Sequence, residues 1–150
     1  MVRLEVIELE SPSMAALDAL RAYAAVSDGG QDHLLSIALR RAFAMVQRYA
    51  DVALLAGRYC VKAEDHNKEV QLYMGGKADE VLDQYGNPVS YAQRGNAVYT
   101  GIDGYLEVRF TTEVNSADYD RLFPVVLKYA TAVYDGKDTR ELNQILRECL

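Results

Sequence analysis

QDHLLSIALRRAFAMVQRYADVALL, residues 31–55, carries the strongest periodic signal in the chain. Leu35, Ala38, Leu39, Ala42, Val46 and Tyr49 recur at i, i+3, i+4 and i+7, the period of an amphipathic helix with one face turned to a core. The opposite stripe carries Ser36, Arg40, Gln47 and Asp51, while Leu34, Ile37 and Met45 widen the apolar side beyond the need of a single partner. A long helix with a second contact surface is therefore expected. Arg40, Arg41 and Arg48 read as a solvated basic stripe balanced by Asp32 and Asp51, or as a grip for an acidic partner or a phosphate.

Towards the N-terminus, Asp28-Gly29-Gly30 supplies a helix stop, because glycine adopts the left-handed conformation that closes a last turn. The helix it ends carries Met14, Leu17, Leu20 and Ala24 at helical spacing. Ser11-Pro12-Ser13 opens it: a serine oxygen accepts an orphan amide, and proline is preset for a first helical position. Val2 to Glu10 alternates weakly, as a short strand or an arm.

Beyond the long helix the pattern changes to short runs rich in valine, tyrosine and leucine, broken by glycine and polar clusters. Small antiparallel strands are predicted at Arg58 to Glu64, Glu69 to Met74, Glu80 to Asp83, Val89 to Ala92, Ala97 to Thr100 and Tyr105 to Thr112. Asp83-Gln84-Tyr85-Gly86-Asn87-Pro88 has the turn chemistry of an exposed hairpin tip. In the last strand Tyr105, Glu107, Arg109 and Thr111 alternate with Leu106, Val108 and Phe110, which marks it as half buried. Ala117 to Asp135 returns to helical spacing with Tyr119, Leu122, Phe123, Val126, Ala130 and Val133, and Gly136 ends it. Pro124 either starts this helix or kinks it. Asp138-Thr139-Arg140-Glu141 resembles a capping box, opening a helix with Leu142, Ile145, Leu146 and Cys149 on one stripe. That stripe reads as core or as a face docked on a neighbouring subunit.

The expected fold class is α+β, mainly α: a bundle of about four helices with an inserted small antiparallel β region and an exposed hairpin. Residues 1–150 are taken as one domain, with an arm or strand at 1–12, helices at 13–55, small strands at 58–112 and helices at 117–150. The balance of 50% hydrophobic and 25% charged residues suits a chain with a sizeable core. Eleven tyrosines without a tryptophan suit half-buried positions, in a core or at an interface. A net charge of −6 opposes general nucleic-acid binding, which needs a basic surface to displace counterions. Cys60 and Cys149 read as buried small apolar groups in a reduced setting, the opening residues lack an export signal, and no apolar run spans a bilayer.

No catalytic, cofactor-binding or metal-binding constellation is predicted. Gly75-Gly76 and Gly101-Ile102-Asp103-Gly104 lack the lysine or following helix of a phosphate loop and read as turns. His33 and His66 stand in no ligand spacing, and Cys60 lies six residues before His66 with no further clustered ligand. Glu64-Asp65-His66-Asn67-Lys68-Glu69 offers an acid and a base, yet a solvated connector between strands explains the run.

Three stretches carry a resemblance: Asp28 to Leu35 with Ala42, Val46 and Tyr49; Val70 to Tyr73 with the tip Asp83 to Pro88 and the strand Tyr105 to Thr111; and Phe123-Pro124 through Ala132-Val133-Tyr134. In this order they resemble the small head-tail connector (head-completion adaptor) proteins of long-tailed phages and prophages, over about Ser13 to Asp138. The opening arm is longer than that pattern, and Pro124 to Tyr134 is about one turn short of a proline-initiated helix. The resemblance implies a non-enzymatic structural subunit without cofactors, located in the virion neck and in the bacterial host cytoplasm before assembly. Such a subunit closes into a ring between the portal protein and a tail-side adaptor or terminator. It extends a channel through which DNA passes without sequence-specific binding, and it has no membrane partner. The interface residues expected on this reading are Tyr85, Gly86, Asn87, Arg40, Arg41, Arg48, Leu142, Ile145 and Leu146, and the tip around Tyr85-Gly86-Asn87 or the terminal segments would reach partners and order only on assembly. Two other classes remain open: a non-enzymatic protein-binding module acting as monomer or dimer, and a small hydrolase or nuclease built on Glu64, Asp65 and His66.

Overall fold

Alternation with period two and recurrence with period 3.6 occupy separate parts of this sequence, and strands and helices separate accordingly in the computed structural model, which describes residues 2–25, 29–64 and 68–150. Asp28 of the expected helix stop and Asp65, His66 and Asn67 of the charged run lie outside the described residues. The strands are β1 (Val2–Leu9), β2 (Gly57–Ala63), β3 (Glu69–Gln71), β4 (Lys77–Asp83), β5 (Tyr91–Arg94), β6 (Ala97–Thr100) and β7 (Leu106–Thr112). The helices are α1 (Met14–Tyr23), α2 (Asp32–Ala50), α3 (Ser116–Tyr134) and α4 (Thr139–Cys149). The class is α+β with helix outweighing strand, as the periodicities predict. The chain divides into a strand unit, Met1–Glu10 with Leu55–Val114, and a helix unit, Ser11–Leu54 with Asn115–Leu150.

In the strand unit, β1-β2-β7-β4 form one antiparallel sheet and β3-β6-β5 a second. The register of β2 on β7 sets Tyr59 opposite Phe110, Val61 opposite Val108 and Ala63 opposite Leu106, all of them buried. The Tyr59 and Phe110 rings stack with centroids 5.3 Å apart, a cross-strand pair that pins the register. Gly76 lies against Phe110, and a Cβ there would overlap its ring. The alternation read along β7 holds: Leu106, Val108 and Phe110 are buried, and Glu107, Arg109 and Thr111 face the other side.

In the helix unit, α2 packs on α3, α1 on both, and α4 on α3. Leu35, Ala38, Leu39, Ala42, Phe43 and Val46 of α2 are buried, as are Leu122, Val126, Tyr129 and Ala130 of α3. Phe43, Tyr119 and Phe123 form an aromatic cluster, with Tyr119 stacked on Phe123 at 5.3 Å.

Helix ends follow their caps. Ser13 is the N-cap of α1 and its Oγ accepts from the Ala16 amide, so Pro12 precedes the cap and does not occupy the first turn. α2 stops at Ala50, five residues before the end of the predicted run, because Asp51 turns left-handed at φ 55°. Gln47, placed on the polar stripe by periodicity, is instead buried, and its Oε1 accepts the Leu54 amide at 3.2 Å. A side chain thus satisfies the backbone where the helix has ended. α3 does not start at Pro124 but runs through it from Ser116, which is the longer helix of the two alternatives. Its C-terminus closes through Gly136 at φ 76°, with Lys137 N–H donating to Ala132 O and Gly136 N–H to Val133 O, the Schellman arrangement.

Candidate interaction surfaces

The outer side of α2 is built by the same periodicity that buries its inner side. Leu34 (53% exposed), Ile37 (53%), Met45 (37%) and Tyr49 (52%) stand in water, at intervals of three, eight and four residues that keep them on one side of the helix. Tyr49, read as part of the core stripe, belongs here. Arg40, Arg41 and Arg48 are exposed among them. The Arg40 guanidinium donates to Ser11 Oγ at 3.1 Å; Arg41 and Arg48 make no ion pair with a described residue. This is an apolar face studded with cations, of which Arg41 and Arg48 lack an ion-pair partner among the described residues.

Two depressions flank it. One, of about 720 Å³, is lined by Met45, Tyr49, Thr139, Arg140, Asn143, Leu146 and Arg147 and lies between α2 and α4. The other, of about 430 Å³, is lined by His33, Ser36, Ile37, Arg40, Arg41 and Ala44. Of the α4 stripe, Leu142 and Leu146 are buried within the chain and Ile145 is half-buried, whereas Cys149 is exposed. Leu142 and Leu146 therefore serve the packing of α4, and of the two Leu146 also forms part of the groove. Arg140 and Arg147 on the groove wall were not singled out by the sequence reading. Their seven-residue spacing, two turns of helix, is the signal that places them on one face.

The hairpin tip is exposed, with Tyr85 at 78%. It is also already shaped: Asp83 Oδ1 accepts the Tyr85 and Asn87 amides, both at 2.9 Å, and Gly86 takes φ 78°. Asp83 acts here as an Asx turn, mimicking a backbone bend.

β1 exposes apolar side chains that its weak alternation does not foretell: Val2 (51%), Val6 (58%) and Ile7 (48%) face solvent. A bulge between Val6 and Glu8 interrupts the pairing of this strand with β2. The polar side of the same sheet carries a chain of ion pairs along and across its strands. Glu5 pairs with Lys62 and Arg3, and Arg109 pairs with Glu80 and Glu107. The Cys60 thiol donates to Glu107 Oε1 at 3.3 Å. Burial first, then the Glu107 carboxylate, push this thiol from 9.0 up to about 12, so it is a protonated, inert group at neutral pH. Among the described residues no three His, Cys, Asp or Glu side chains gather as a metal site. No helix among them is long and apolar enough to cross a membrane.

The arrangement thus consists of surfaces. Set beside solved structures, the chain is similar to one in the neck of an empty gene transfer agent particle computed with C6 symmetry, with TM-score 0.63 and 18% identity over 89% of this chain and 84% of that one. It shares a fold with gene transfer agent neck chains. A chain from the virion of a native gene transfer agent particle gives TM-score 0.61 and 16% identity, covering 88% and 84%. One from the native neck computed with C12 symmetry gives 0.55 and 14%, covering 94% and 93%. No protein-family model and no curated protein matches the sequence.

Proposed function

We propose that this chain is a structural, non-enzymatic subunit of a phage-like virion neck. It forms a ring between the portal protein and a tail-side adaptor or terminator, extends the DNA channel and serves as a docking platform. The observation that carries this reading is the fold shared with neck chains over nearly nine-tenths of the sequence. The surfaces support it. A ring needs one surface of each subunit to meet a different surface of the next, and this chain exposes apolar residues on both β1 and α2. Its acidic balance suits a channel wall along which DNA slides, since like charge prevents sticking. Residues 1–150 act on this reading as one connector-like module. The tip Tyr85-Gly86-Asn87, Arg40, Arg41 and Arg48 on α2, and the α4 stripe of Leu142, Ile145 and Leu146 contribute to partner contacts.

Mixing the pure chain with portal protein and following complexes by native mass spectrometry and electron microscopy tests the reading. A ring of chains on the portal is the expected product; a monomer that ignores portal counts against it. Replacing Tyr85-Gly86-Asn87 by a two-residue turn is expected to weaken capture of the tail-side protein while leaving folding unchanged. Unaltered capture would remove the tip from the interface.

A further inference from the structure

The outer face of α2 leaves an apolar surface in water with cations that no described acid neutralises, and this combination specifies what would cover it. The occupant must present apolar side chains for Leu34, Ile37, Met45 and Tyr49, and carboxylates for Arg41 and Arg48. Arg140 and Arg147 on the wall of the adjoining groove extend the same demand, as they too make no ion pair with a described residue.

One segment of this chain meets it. β1 exposes Val2, Val6 and Ile7 and continues into Glu8 and Glu10. Among the described residues Glu8 pairs with Arg58 alone, at 3.8 Å and with both side chains well exposed, and Glu10 makes no ion pair. The acid excess of the whole chain also sits in the strand unit, not in the helix unit. The lengths agree: an eight-residue strand spans roughly 26 Å, and the rise from Leu34 to Tyr49 is about 22 Å.

We propose that the outer face of α2, with the groove beside α4, receives the β1 edge of a second copy of this chain. This deepens the ring reading and rests on it: the contact joins two different surfaces, leaves β1 open on one copy and α2 open on the other, and so propagates until it closes. Pairing of β1 with another β1 through the backbone is disfavoured, because the bulge between Val6 and Glu8 and the charges of Arg3, Glu5 and Glu8 blunt that edge. The contact made through side chains keeps these charges useful.

Two charge-reversed forms of the full chain test the contact: a helix-face variant, Arg41→Glu with Arg48→Glu, and a strand variant, Glu8→Arg with Glu10→Arg. All four positions are exposed, and circular dichroism melting verifies that both variants fold. Association is read by sedimentation and native mass spectrometry up to the highest soluble concentration. Each variant alone is expected to associate at least roughly tenfold more weakly than the wild type, from like-charge juxtaposition. An equimolar mixture is expected to regain association with equal numbers of both forms, since reversed α2 faces meet reversed β1 edges and unreversed faces meet unreversed edges. Variants that associate like the wild type, or a mixture that stays apart, overturn the contact while leaving the ring reading intact. A wild type that remains monomeric throughout also overturns it, and the portal mixture then decides the ring reading by itself.

Discussion

Cys60 shows how much a single side chain can report about this molecule. Its thiol is buried against the Glu107 carboxylate, and the folded state holds its proton up to about pH 12 against an ordinary value of 9.0. The unfolded chain loses that proton first, so the stabilisation is complete below 9.0 and is lost as pH rises towards about 12. Denaturant unfolding at neutral pH and midway through that window should show falling stability, with a smaller fall for Cys60→Ala. Thiol reagents at neutral pH should modify exposed Cys149 and spare Cys60 until the chain unfolds. Of the two cysteines expected as buried apolar groups, Cys60 is buried and Cys149 is exposed. Position on the α4 stripe says which face a residue occupies, but not whether the last turn of that face is still covered. Gln47 illustrates the reverse error: polar by type, it is buried because α2 ends just beyond it and the Leu54 amide needs an acceptor.

At the scale of elements, the helices obey local chemistry. Asp138 Oδ1 accepts the Glu141 amide and Asn115 Oδ1 accepts those of Ala117 and Asp118, all at 2.9 to 3.1 Å. Asn115→Ala should cost about 1 kcal/mol, measured by chemical denaturation, with Asn115→Asp retaining most of the stability. The Asp138 cap was legible as a capping box, while Asn115 was not recognised because the reading fixed on Pro124 as the possible start. The strands were legible as existing elements and less so in extent. β3 is three residues long where six were predicted, because Leu72 N–H bonds to Asn96 O and the chain then turns through Met74 at φ 56°. β5 begins two residues later than predicted because Val89 still pairs with Val81 at the base of the tip.

For the whole molecule, the proposed contact between copies is part apolar and part ionic, and the two parts answer differently to salt. Raising ionic strength from about 0.1 M to about 1 M shortens the screening length from about 10 Å to about 3 Å. Sedimentation should therefore find association weakened, with the Ile37→Ser variant losing what remains. Association that strengthens with salt would mark an interface carried by apolar burial without the arginines. The α+β class, the four helices, the places of strands β2 to β7 and the exposed tip were readable along the chain. Those features depend on side-chain period and on caps acting within a turn, so neighbours along the chain suffice to specify them. The order β1-β2-β7-β4, the burial of Gln47 and the apolar residues of α2 and β1 left in water were not. Those are settled by contacts between residues far apart in sequence, where many pairings satisfy the same local pattern and packing selects one.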